Sequence, residues 1–127
     1  MRAAQIFCLI LFGMQLSEAE AATPPKVVAP SFDCTKARPG SIDVIICDSR
    51  ELSILDRTMG QHFQRGRRAI PATQKPMFRQ EQRAFIANRN LCMKRKADRH
   101  DCIAFAYEAR IIRLGEWIDG SAWEAGQ

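Results

Sequence analysis

The sequence predicts an all-α fold, a small three-helix domain organised around a disulfide-stapled helical hairpin, with a short disulfide-tied turn ahead of it. Three observations predict it. Apolar residues recur at steps of three and four in three separate stretches. Four of the five cysteines fall into two local pairs, Cys34 with Cys47 and Cys92 with Cys102. No stretch shows strand-like alternation, an internal repeat or a glycine-rich phosphate loop, so helices joined by short links are the natural solution.

The hairpin is the clearest element. Phe78, Gln82, Phe85, Arg89 and Cys92 lie on one helical face, and Ile103, Ala106 with Tyr107, Arg110, Leu114 and Trp117 form the facing stripe. The link from Met93 to Asp101 is short enough to reverse the chain, and a Cys92–Cys102 bridge would pin the end of one helix to the start of the next.

Residues 1–21 read as an address and not as structure. Arg2 supplies a positive charge, Ile6 to Leu16 is mainly apolar, and Ala19-Glu20-Ala21 offers small residues for cleavage after Ala21. Gly13 and Gln15 interrupt that run, which is shorter than the roughly 18 apolar residues of a membrane span. Cys8 follows Gln5-Ile6-Phe7, without the small residues of a lipoprotein signal, so the expected product is exported, periplasmic or secreted, and not anchored. The leader holds one arginine and two glutamates, so its removal raises the net charge from +5 to +6. The remaining 106 residues bound the answer to one small domain, a size that commonly needs cross-links.

An even number of cysteines in a short exported chain points to disulfides, although four permit three connectivities. The two local pairs are favoured, each worth about 3 kcal/mol on a chain-entropy argument. Zinc held by the four cysteines and His100 is the competing chemistry. The twelve- and nine-residue gaps lack the short ligand knuckles of zinc sites, and no Cys-x-x-Cys redox pair exists. No metal or other cofactor is expected.

In chain order, Pro24, Pro25 and Pro30 make residues 22–31 an extended, flexible lead-in, and the domain, residues 32–120, begins near Phe32. Pro39-Gly40 marks a turn, and Ser41 caps a helical turn through Ile46 that Cys47 ties to Cys34. Ser49 caps the first long helix, with Glu51 in its first turn and Leu52, Leu55, Asp56, Met59 and Phe63 as its inner stripe. That helix is expected to fade around Arg65-Gly66-Arg67-Arg68. Thr73 is the expected cap of the second helix, with Pro76 in its first turn. Trp117 continues the inner face of the third helix, and Trp123, in a tail of residues 121–127, is expected to fold back onto the bundle.

Asp56, Gln82, Arg89, Tyr107 and Arg110 all fall on faces that should point inward, where charge is costly unless paired. The expected arrangement is a structural network in which Asp56 accepts from Arg89 or Arg110 while Gln82 and Tyr107 satisfy the remainder. Catalysis by Asp56 is disfavoured, because no second acid and no histidine stand at a relay spacing.

These residues together resemble the LprI-type lysozyme inhibitor domain. The resemblance runs through Phe32-Asp33-Cys34-x-Lys36-Ala37, Ile46-Cys47-x-Ser49 and Leu52-x-x-Leu55-Asp56-Arg57-x-Met59. It continues in Gln82-Arg83-x-Phe85-x-x-x-Arg89-x-x-Cys92, Asp101-Cys102-Ile103 and Ala106-Tyr107-x-x-Arg110-Ile111-x-x-Leu114, and so covers roughly Phe32 to Trp117. It implies a helical, disulfide-bonded exported protein that inhibits a lysozyme by occupying it, without chemistry of its own. The chain differs from anchored members in lacking a lipoprotein cysteine.

A second reading starts from Lys94, Arg95, Lys96 and Arg99, with His100, inside the loop that Cys92–Cys102 would close, and from the further cluster Arg65, Arg67 and Arg68. Such a loop could present cations to an anionic component of the cell envelope, in a cationic or stress-associated protein without inhibitory activity. Nucleic acid is not expected, since the aromatic residues lie mostly on core faces. A net charge of +6 slows encounter with a basic lysozyme. A carboxylate-rich contact surface would therefore favour inhibition, and salt-sensitive binding through the loop would favour the anionic partner.

Overall fold

The computed structural model describes residues 27–124. The leader, residues 22–26 of the lead-in and the last three residues lie outside the described part. Five helices follow one another: α1 (Ile42–Asp48), α2 (Arg50–Ala69), α3 (Lys75–Leu91), α4 (Arg99–Asp119) and α5 (Ser121–Glu124). Three-residue 3-10 turns precede α1 (Cys34–Lys36), link α2 to α3 (Ala72–Gln74) and follow α3 (Cys92–Lys94), and no strand occurs among the described residues. The all-α prediction holds, as three long helices with a short one at each end.

Both local disulfides form. Cys34–Cys47 ties the first 3-10 turn to α1, and Cys92–Cys102 joins the end of α3 to the first turn of α4. All four sulfurs are thereby committed.

Ser49 punctuates α1 and α2. Its N–H donates to the Ile46 carbonyl, closing α1, while its Oγ accepts from the Leu52 N–H at 3.2 Å and opens α2. Ser41 stands at the N-cap of α1, yet its hydroxyl makes no capping bond. Thr73 does not cap the second helix either. The Gln74 N–H already bonds the Pro71 carbonyl, so Thr73 is wound into a 3-10 turn and α3 starts at Lys75, with Pro76 in its first turn.

Nor does α2 fade at Arg65–Arg68; it runs on to Ala69. Gly66 is buried and serves packing: a Cβ there would lie 2.7 Å from the Phe78 ring. Arg67 and Arg68 suit the last turn, where cations favour the helix dipole. The helix stops at Ile70, whose extended backbone (ψ 148°) is what the following proline requires.

Two contacts fix the register of α2 against α4. Ser49 Oγ lies 3.1 Å from His100 Nε2, and Tyr107 donates to Asp56 at 2.8 Å; each pair is 51 residues apart, so the two helices run parallel at matching heights. α3 returns antiparallel, packed against α4 and meeting α2 through Gln82 on Met59 and through Phe78 stacked on Phe63 at 5.0 Å. Phe78 also meets Trp117 edge-on at 5.5 Å, and with Leu52, Ile103, Tyr107 and Leu114 these rings fill the centre.

The ends pack too. The lead-in joins the fold before Phe32: Pro30 is buried, and Ser31 reaches across to Asp56. Gly60 permits this, because a Cβ there would come within 2.9 Å of Ser31 Cβ. At the other end Gly120 (φ 95°) terminates α4 in the left-handed region, and α5 folds back so that Trp123 Nε1 donates to the Trp117 carbonyl at 3.3 Å.

Candidate functional site

The five inward polar residues form two neighbouring systems. In the first, Asp56, 2 % exposed, accepts from Tyr107 on Oδ1 at 2.8 Å and from both the N–H and the hydroxyl of Ser31 on Oδ2 at 2.6 Å. Arg89 does not bond Asp56. Its Nη1 donates to the Tyr107 hydroxyl at 2.7 Å, and its other nitrogens reach Asn90 Oδ1. Burial above all, with the adjacent Asp56 carboxylate, pushes the Tyr107 phenol well above its ordinary range, so it serves as a neutral relay between carboxylate and guanidinium.

The second system centres on Glu81. Arg110, 5 % exposed, donates Nε to Gln82 at 2.9 Å and Nη1 to Glu81 at 3.0 Å, while its guanidinium lies over the Phe78 ring at 5.9 Å. Glu81 also receives Arg113 at 2.8 Å and the Trp117 indole N–H at 2.8 Å, and Arg113 continues to Glu116 at 2.7 Å. Burial opposes ionisation of Glu81, but the hydrogen bonds from Arg113, Trp117 and Arg110 outweigh it and hold the carboxyl below its usual range. Burial lowers Arg110, and the bonds to Glu81 and Glu116 raise Arg113; both stay charged.

Of the loop cations, two are engaged locally. Arg95 forms a bidentate pair with Asp98, and Arg99 caps the carbonyls of Arg95 at 3.1 Å and Met93 at 3.0 Å, where the chain leaves α3. Of the four, only Arg95 is paired with a carboxylate; Arg99 keeps its charge while capping carbonyls, and Lys94 and Lys96 are exposed and have no side-chain partner among the described residues.

The outward face of α4 gave no signal in the sequence. At steps of four and three it carries Asp101, Phe105, Glu108, Ile112, Glu116 and Asp119. Phe105 is 71 % exposed and Ile112 68 %, and no cation lies in the row; Arg113 borders it but is held by Glu81 and Glu116. Beside it an open groove of about 360 Å3 runs between α3 and α4. Phe85, Asn88, Phe105 and Ala109 line it, and the Cys92–Cys102 bridge closes one end. The charged side chains in the groove's lining are Arg110 and Arg113, both held by Glu81, and the carboxylates stand on the neighbouring α4 row; the groove can seat an apolar side chain while that row attracts a basic partner.

No group of acidic, histidine or cysteine side chains among the described residues is arranged to hold a metal ion. No described helix is long and apolar enough to cross a membrane. The two disulfides are consistent with an oxidising, extracytoplasmic setting.

No family model, no curated protein and no solved structure matches this chain.

Proposed function

We propose that this chain is an exported binding protein of the lysozyme-inhibitor type, released to the periplasm or the medium, which acts by occupying its partner and not by catalysis. The observation that carries this reading is the α4 face: exposed Phe105 and Ile112 alternate with Asp101, Glu108, Glu116 and Asp119, beside the groove. Lysozymes are commonly basic, and a locally acidic, apolar surface is what a cationic protein of this size would need to bind one. Phe105 is suited to be the anchor, since aromatic side chains that enter a pocket dominate binding energy. The resemblance in the cysteine, Leu-Asp, Gln-Arg and Tyr-x-x-Arg motifs points to the same activity.

The test is wall lysis by chicken-type and other lysozymes against rising amounts of oxidised protein lacking residues 1–21, at low and at physiological salt. Dose-dependent inhibition that weakens on disulfide reduction supports the reading. A folded sample that inhibits no lysozyme at either salt overturns it.

A further inference from the structure

The outward face of α2 has the spacing of the α4 face with the opposite charge, except that Gln61 stands where α4 has the apolar Ile112. Arg50, Ile54, Arg57, Gln61, Arg65 and Arg68 follow one another at steps of four, three, four, four and three, all exposed. No ion pair or side-chain hydrogen bond engages these four arginines among the described residues. The α4 row has the same steps. Every member lies 51 residues after its α2 counterpart, the offset already set by Ser49 beside His100 and Asp56 beside Tyr107. Arg50 thus stands at the height of Asp101, Ile54 at that of Phe105, Arg57 of Glu108, Arg65 of Glu116 and Arg68 of Asp119. Each row spans about 27 Å at the α-helical rise.

We infer that the α2 face of one copy docks side by side on the α4 face of a second copy of this chain. A sideways displacement without axial shift brings every arginine of one row to a carboxylate of the other and places Ile54 against Phe105. The arginines suit the task, because their planar forks pair bidentately with carboxylates and lose less order on pairing than lysine. An anionic membrane fits less well: apart from Ile54 the α2 row has no large apolar side chain to insert beneath head groups. The contact is heterologous, so it propagates to a ring or an open chain and does not stop at a two-fold dimer. It goes beyond the binding reading above, and a lysozyme on the α4 face would compete with it.

The experiment is sedimentation analysis of the oxidised protein lacking residues 1–21, at low salt and at 0.3 M salt, with charge-reversed variants. The unaltered protein should associate as concentration rises, roughly tenfold more weakly at the higher salt. Arg57→Glu alone and Glu108→Arg alone should each be monomeric. A mixture of the two, and the doubly exchanged R57E/E108R chain, should associate again, while K94E/K96E in the loop behaves as the unaltered protein. Circular dichroism on the same samples identifies a variant that fails to fold, and the exchanged chain serves as the folded counterpart. A protein monomeric at low salt up to about 1 mM, the limit of useful affinity, overturns the inference. So does association that survives both single reversals, or single reversals that remain dead in the mixture. Wall-lysis inhibition is read separately, so it can fail while association persists, or the reverse.

Discussion

The Tyr107 hydroxyl stands between Asp56 and Arg89, donating to the carboxylate at 2.8 Å and accepting from the guanidinium at 2.7 Å, so two buried opposite charges are coupled without touching. The phenol bridges α4 to α2 and to α3 at once, which makes it the joint of the bundle. Tyr107→Phe keeps the ring and strands a charge on either side. Leaving buried charged groups short of a partner costs about 3 kcal/mol, and urea unfolding should show that loss with helix content unchanged. An unchanged midpoint would mean that water replaces the hydroxyl at no cost.

Two helical glycines should respond in opposite directions. At Gly66 a methyl would meet Phe78, itself held between Phe63 and Trp117, so Gly66→Ala should destabilise by about 1 kcal/mol once the gain in helix propensity is set against overpacking. At Gly115 nothing lies within 4 Å of the added Cβ, and Gly115→Ala should stabilise by about 1 kcal/mol. Thermal melts of the two variants settle the contrast.

Acid should weaken the fold through Glu81. Its carboxyl is lowered from the ordinary value of 4.5, so its contribution is complete above that pH and disappears as the pH falls through the depressed native value. Glu81→Gln should lower stability at neutral pH and flatten the dependence on pH below about 4.5. Chemical unfolding from pH 7 to pH 2 compares the two slopes.

Cutting the Cys92–Cys102 bridge should cost about 3 kcal/mol, mostly by freeing the unfolded chain. The double variant C92S/C102S, measured against the oxidised parent in urea, gives the figure. The loop ahead of α4 should also become the first site of proteolysis, since without the bridge it is held by the Arg95–Asp98 pair, the Arg99 caps and a few terminal backbone bonds.

Phe105→Ala should leave stability within about 0.5 kcal/mol, as expected of an exposed position, and yet weaken lysozyme inhibition at least tenfold. A variant that inhibits as well as its parent would move the contact off α4.

The all-α class and both disulfides were legible because helical periodicity and local cysteine spacing are properties of short stretches. The inward positions of Asp56, Gln82, Arg89, Tyr107 and Arg110 could be read from the same periodicity, but their pairing could not. Ser31 takes an oxygen of Asp56 from 25 positions away, in a proline-bearing lead-in that carries no periodic signal. Glu81 lies outside the inner stripe of α3, where periodicity gives it no distinction; only the burial of Arg110 and Trp117 beside it makes it an acceptor. The complementarity of α2 and α4 was hidden for a different reason. Each row is ordinary by itself, and the 51-residue offset exists only once the two helices lie parallel.

Segregation of charge onto separate helix faces makes the force on an approaching molecule change sign with distance. Far away, a basic protein or another copy feels a net positive body and is repelled. The α2 and α4 surfaces are roughly 20 Å apart, about two helix diameters, whereas the screening length at physiological salt is about 8 Å. Within that last layer of solvent a visitor senses only the side it meets, and at α4 that side is acidic. Encounter is therefore slow while the lifetime of a correctly oriented contact is set locally, so salt should quicken arrival and hasten departure together.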